Sequence, residues 1–214
     1  MFGDLQVVDH VDQAFAELVA DRSPSSLALS GGAVARRCYE LLATADVDWG
    51  PVDVWFGDER WVPVHDPDSN EGMARVTFLD AVGPRAVHSM YDPDLSIGEA
   101  AAAYDDALHA ASPLDLVHLG LGPDGHTASL FPANASLAET DRWVVATRDD
   151  QHAHDRLTLT FTALASAGLV VFTVAGREKH EALQRVLAGD DVPAGRVRAA
   201  EVVWLVDDEA FGPA

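Results

Sequence analysis

Residues 169–179 read Leu169-Val170-Val171-Phe172-Thr173-Val174-Ala175-Gly176-Arg177-Glu178-Lys179, an apolar run closed by a glycine and then by charge. A strand with one wet face alternates apolar and polar residues. Leu169-Val170-Val171-Phe172 does not alternate, which suits a strand covered on both faces, as in a parallel sheet flanked by helices. Val202-Val203-Trp204-Leu205-Val206 reads the same way. The longest such stretch, Leu169 to Ala175, falls far short of the ~20 residues needed to span a bilayer.

Outward from this run, short β-rich segments alternate with helical patterns. Helices are expected at Val11–Ala20, Val34–Ala43, Ser69–Leu79, Ile97–Ala111 and Glu178–Leu187. The fourth opens on Ser96-Ile97-Gly98-Glu99, which has the spacing of a capping box. Strands are expected at Leu27–Leu29, Val52–Phe56, Val87–Met90, Leu114–Leu119, Trp143–Ala146, Leu157–Thr160, Leu169–Val174 and Val202–Val206. No repeat, low-complexity tract or linker divides the chain. The alternation predicts an α/β fold, one doubly wound domain over residues 1–214 with a mostly parallel sheet and helices on both faces.

Composition agrees. The chain has 214 residues, 48% of them hydrophobic and 23% charged, enough for a domain that buries roughly 70% of its unfolded surface. Fourteen Lys and Arg against 35 Asp and Glu give a net charge of −21. Nucleic acid and anionic membrane both reward clustered cations, so neither is an expected partner. The single cysteine, Cys38, lies in an apolar helical pattern with Val34, Leu41 and Leu42 and reads as core. Met1 to His10 has neither the basic region nor the apolar core of a signal peptide, so a cytoplasmic location is expected.

Open parallel sheets bind ligands beyond the carboxyl ends of their strands, and four unusual clusters fall there. Ser30-Gly31-Gly32 follows the first expected strand and Gly57-Asp58-Glu59-Arg60 the second. Gly120-Leu121-Gly122-Pro123-Asp124-Gly125-His126 follows the Leu114 strand, and Gly176-Arg177-Glu178-Lys179 the Leu169 strand. Ser30-Gly31-Gly32 stands before a helix, where backbone N–H groups and the helix dipole favour an anion. It lacks the Gly-Lys-Ser/Thr ending of a nucleotide P-loop. Gly120, Gly122 and Gly125 match the dinucleotide spacing, but Pro132 and Asn134 break the helix that fingerprint requires. His126, in a loop beside Asp124, is a candidate general base near neutral pH. Lys179 is the only lysine among fourteen basic residues, and at a strand end it suits a phosphate. His152-Ala153-His154-Asp155 looks like metal ligands only superficially, since no other His/Cys group completes a set, and no metal is expected. No Gly-x-Ser-x-Gly elbow occurs, so water is the expected nucleophile of any hydrolysis.

These motifs together resemble the 6-phosphogluconolactonases of the glucosamine-6-phosphate isomerase/6-phosphogluconolactonase family. The matching stretches are Leu29-Ser30-Gly31-Gly32, Phe56 to Pro63 with Asp68-Ser69-Asn70, and Gly120 to Pro132. Arg156-Leu157-Thr158-Leu159-Thr160, Gly176 to Lys179 and Val203 to Asp207 follow in the family's order. The resemblance implies a Rossmann-like fold, no cofactor and hydrolysis of 6-phospho-D-glucono-1,5-lactone in the pentose phosphate pathway. It implies catalysis by His126, Asp124, Arg60 and Asp58, with Asp58 orienting Arg60 or binding sugar hydroxyls. It implies substrate binding by Ser30, Gly31, Gly32, Gly125, Arg156 and Lys179. The expected partner is a small sugar-phosphate lactone, handled by a monomer or small homo-oligomer.

Two departures stand out. The family usually reads Ser-Gly-Gly-Ser-Thr-Pro, and Ala33-Val34-Ala35 replace the last three here. Gln151-His152-Ala153-His154-Asp155 stands where prolines are common. The alternatives are a glucosamine-6-phosphate deaminase-like isomerase, whose Asn-Glu-Pro is absent from Ser129-Leu130-Phe131-Pro132, and a non-catalytic sugar-phosphate sensor.

Overall fold

The computed structural model describes residues 3–111 and 113–212. In chain order the elements are β1 (Asp4–Val7), α1 (Val11–Arg22), β2 (Ser26–Leu29), α2 (Ala33–Leu42), β3 (Asp53–Phe56), β4 (Asp58–Arg60), α3 (Asn70–Ala74), α4 (Asp80–Val82), β5 (Ala86–Val87), α5 (Ile97–Ala111), β6 (Leu116–Gly120), β7 (Val144–Thr147), β8 (Arg156–Leu159), α6 (Phe161–Ser166), β9 (Leu169–Val174), α7 (His180–Ala188), α8 (Pro193–Arg196), β10 (Glu201–Val206) and α9 (Asp208–Phe211). Seven strands form one parallel sheet in the order β1-β10-β9-β6-β2-β3-β5. The continuous apolar runs are its interior: all six residues of β9 are buried, and Phe172 stacks on Trp204 at 3.8 Å.

Register shows why those strands carry no polar face. Ala28 pairs with both Trp55 and Val117, so Trp55 and Val117 share a face and His118 lies on the other. Phe15 of α1 and Tyr39 of α2 touch His118, while Tyr104 of α5 meets Trp55 edge-on. Helices therefore cover both faces. Cys38 belongs to this core, and burial pushes its thiol up to about 12, which makes it inert at neutral pH. No helix among the described residues is long and apolar enough to cross a membrane.

The structure differs from the sequence expectation in several places. Trp143–Ala146 and Leu157–Thr160 are strands as expected, but they leave the main sheet. They are β7 and β8 of a separate antiparallel sheet ordered β4-β8-β7. Gly57-Asp58-Glu59-Arg60 is more than a loop, because Asp58–Arg60 is the edge strand of that sheet. Gly57 is the joint: its N–H donates to Leu29 of the main sheet, and its carbonyl accepts from Leu159 of the small one. Near Val87–Met90 only Ala86–Val87 is strand, and β1 was not foreseen. The Ser69–Leu79 helix starts as expected on a Ser69 cap, then passes through a π-helical turn at Arg75–Leu79. Ser96 and Glu99 form the expected capping box.

Candidate active site

Strand order reverses between β6 and β2: the chain builds outward from β2 to β5, then returns to β6 and builds the other way. Such a switch point opens a crevice at the carboxyl ends of the strands. A cavity of about 280 Å³ lies there. Ser30, Gly31 and Gly32 line it from the end of β2, Asp58 and Arg60 from β4, and His126 from the loop after β6. Arg156 of β8, with Glu178 and Lys179 just past β9, completes the charged lining. His126 and Lys179, distant in sequence, thus face one space. Of the ten expected site residues, Asp124 and Gly125 do not line it and act from behind.

The phosphate-type loop is built from backbone. Gly32 adopts φ +99° as the cap of α2, and the first bonded amide of the helix is Arg36 N–H to the Gly32 carbonyl. The amides before it have no intrahelical acceptor. Ala33 and Val34 line the cavity, so loss of the usual hydroxyls leaves main-chain donors in place. One correction concerns Ser30, whose N–H donates to the Tyr39 hydroxyl at 2.7 Å and is therefore unavailable to a ligand. The Tyr39 hydroxyl also meets His118 Nδ1 at 2.9 Å, and His118 Nε2 meets the Thr173 hydroxyl at 2.9 Å. Burial lowers the His118 pKa to about 3, so this inner chain of contacts is neutral.

The candidate base, His126, is fixed by its own loop. Asp124 Oδ1 accepts from the His126 N–H at 3.0 Å and lies 2.5 Å from Nδ1, which leaves Nε2 to take a proton. Burial holds His126 below its ordinary range, against the pull of Asp124 and Asp58. Burial would raise the Asp124 carboxyl, but the His126 N–H and imidazole hold it below its ordinary value. Gly122 is required by contact: a Cβ there would sit 2.1 Å from His126 Nδ1. Gly125 turns the loop at φ +90° with Val192 packed against it.

The opposite wall is charged. Asp58 accepts from the Ser129 hydroxyl at 2.6 Å, and Arg156 lies 3.9 Å from it. Asp58 was expected to orient Arg60 or to bind sugar hydroxyls, and the structure does not show the first. Arg60 donates instead to the Asp68 carbonyl at 2.6 Å, while Asp58 holds Ser129 and Asn70. Arg156 is 8% exposed, and its Nε, like that of Arg60, is buried without a hydrogen-bond partner. Two guanidiniums with spare donors at one cavity call for an anion or an oxyanion.

Sequence reasoning missed the supports of this wall. Buried Glu59 accepts from the N–H groups of Arg60, Asn70 and Glu71 and from the Ser69 hydroxyl. Burial lifts its carboxyl to about 6 despite those donors. Asn70 ties the walls together: its amide donates to the Asp58 carbonyl, and its Oδ1 lies where a Gly31 Cβ would be, at 1.9 Å. The Asp68-Ser69-Asn70 run was the available signal. His152 and His154 turn to different carboxylates, Asp149 and Asp68. Among the described residues no group of three or more His, Cys, Asp or Glu side chains is arranged to hold a metal.

Residues 5–204 match the family described as Glucosamine-6-phosphate isomerases/6-phosphogluconolactonase. The chain is 37% identical to a 6-phosphogluconolactonase of Synechocystis sp. strain PCC 6803, over 94% of this chain and 89% of the relative. It is 37% identical to one of Pseudomonas putida, over 85% of this chain and 77% of the relative. The crystal structure of 6-phosphogluconolactonase from Thermotoga maritima superposes with a TM-score of 0.85 at 29% identity, over 95% of this chain and 99% of the other.

Proposed function

The chain belongs to the Glucosamine-6-phosphate isomerases/6-phosphogluconolactonase family, and on that premise we propose how it hydrolyses 6-phospho-D-glucono-1,5-lactone to 6-phosphogluconate. Water attacks the lactone carbonyl while His126 Nε2 takes its proton. Asp124 holds the Nδ1 side of the ring and stabilises the imidazolium. Arg60, which lines the cavity, stabilises the oxyanion that forms on the carbonyl oxygen. Collapse breaks the bond to the ring oxygen, which receives the proton back from His126. Each water consumed gives one carboxylic acid and one hydroxyl, so no redox partner is needed.

A positioned base supplies ~10²–10⁴-fold and an oxyanion donor ~10²–10³-fold. A lactone is an activated ester, so these two contributions suffice without a covalent intermediate. The dianionic phosphate meets a protein of net charge −21, so its attraction is local. Backbone donors at Gly31 and Gly32, the Ser30 hydroxyl, Arg156 and Lys179 supply it. Each charge-assisted hydrogen bond contributes roughly 1.5–3 kcal/mol.

The observation that carries this reading is that His126 and Lys179 line one cavity sized for a single sugar phosphate. Its test is turnover of His126→Ala in a coupled assay, with the lactone generated in situ and the product trapped by its dehydrogenase. A drop of ~10²–10⁴-fold in kcat is expected. Activity within about threefold of the unmodified enzyme would remove His126 from the mechanism.

A further inference from the structure

The lactone chemistry above does not use the histidines between β7 and β8. His152 is nevertheless bound to the active site through one ring. Phe131 lies 4.8 Å from the His126 ring, centroid to centroid, and His152 stacks on that same phenyl at 4.7 Å with planes 26° apart. The two imidazoles meet edge to face at 5.5 Å and 80°. His152 Nδ1 is held by Asp149 Oδ2 at 3.0 Å, as His126 Nδ1 is held by Asp124.

The loop that carries His152 is anchored on both sides. Asp149 also caps the Gln151 N–H, His154 pairs with Asp68 at 3.0 Å, and the Asp155 carbonyl accepts from Trp61. Two aspartate–histidine pairs thus flank one phenyl ring, only one of them at the cavity.

We propose that His152 is a positioning residue for His126, fixing the plane of its ring through Phe131 and repelling its imidazolium when His152 is itself charged. This rests on His126 being the base.

The groups facing His126 make the sign definite. Asp124 from its own loop and Asp58 from β4 favour the imidazolium, whereas burial and His152 oppose it. Asp149 stands beyond His152 and is drawn to both rings. Arg156, Glu178 and Lys179 also line the cavity that His126 faces. Two unit charges about 5.5 Å apart in a largely aqueous medium shift a titration by about half a pH unit. That is about a threefold change in the fraction of base ready to act on the acid side.

The experiment is an NMR titration of the His126 ring in the intact protein, unmodified and carrying His152→Phe or His152→Lys. Phenylalanine keeps a ring against Phe131 and removes the charge, so the His126 midpoint rises by about half a unit. Lysine keeps a positive charge at the same position, so the midpoint does not rise. The acid limb of kcat/KM moves with each midpoint. A rise with phenylalanine that lysine does not reproduce sustains the proposal, and a rise in both variants or in neither overturns it. The titration reads the His126 ring whether or not that ring is the base. Failure here is therefore distinct from failure of the mechanism, which His126→Ala judges.

Discussion

The two walls of the cavity handle buried polarity in different ways. Behind its surface the wall built by the parallel sheet is neutral, while Glu178 and Lys179 bring charge to the cavity itself. Ser30, Tyr39, His118 and Thr173 pass hydrogen bonds along its inside, and helix and loop amides face the ligand. The wall built by the three-stranded sheet is ionic: Asp58, Glu59 and Arg156 are all buried there, at 5%, 2% and 8% exposure. A neutral wall asks only that each polar group find one partner. A buried charge demands several, because its desolvation penalty is larger. Glu59 accordingly takes four donors, and Asp58 is held by Ser129 and Asn70. The ionic wall presents fixed charge to the cavity through Asp58, Arg60 and Arg156.

The largest effect should come from pushing the walls apart at the base. Gly122→Ala would place a Cβ 2.1 Å from His126 Nδ1, and kcat/KM should fall about a hundredfold or more, since an ångström of misplacement has that effect. A variant within tenfold, with unchanged circular dichroism, would mean that the loop does not fix the ring.

Acid should find the neutral wall first. Burial holds His118 at about 3 in the folded protein against an ordinary 6.5. Between those values the unfolded chain binds a proton that the folded one does not, so stability rises with pH across that window and is lost on acidification. From pH 6 to pH 4 this group alone should remove about 2 kcal/mol from the urea-unfolding free energy. His118→Gln, weaker at neutral pH, should lack that component. An equal acid slope in both proteins would assign the loss to the ionic wall instead.

Lys179→Ala should raise KM for the phosphorylated lactone about tenfold, the equivalent of one charge-assisted hydrogen bond, and reduce discrimination against unphosphorylated gluconolactone. Intact discrimination would move the phosphate away from this end of the cavity. The smallest effect belongs to the support of the ionic wall. Ser69 caps α3 by accepting from the Gly72 N–H, and it donates to Glu59. Ser69→Ala should lower unfolding free energy by about 1 kcal/mol, measured by urea denaturation, with kcat changed less than by Gly122→Ala.

The neutral wall was largely legible in the sequence. Ser30-Gly31-Gly32 and Gly120 to His126 are contiguous, and glycine marks the positive φ and close approach that such loops require. The ionic wall was not, because its contacts join Asp58 to Ser129 and Arg156, and Glu59 to Asn70 and Glu71. Asp58 was expected to orient Arg60 or to bind sugar hydroxyls, and the two are near neighbours in sequence. In a strand, however, their separation by two residues says nothing about which groups face them across the sheet. His152 was set aside as a would-be metal ligand, since its stacking on Phe131 exists only once the β7–β8 loop folds over the Gly120–Pro132 loop.

What the sequence determined by itself was the parallel sheet and the end of it that binds ligand. Continuous apolar strands have no other stable environment than two covered faces, and the glycine loops must follow them. Only the tertiary structure decided that a second, antiparallel sheet branches off at Gly57, that Tyr39 withdraws the Ser30 amide from the ligand, and which carboxylate meets which cation. Local pattern fixes secondary structure through backbone sterics and burial. The pairing of buried charges depends on where distant segments meet, and no short stretch of the chain encodes that.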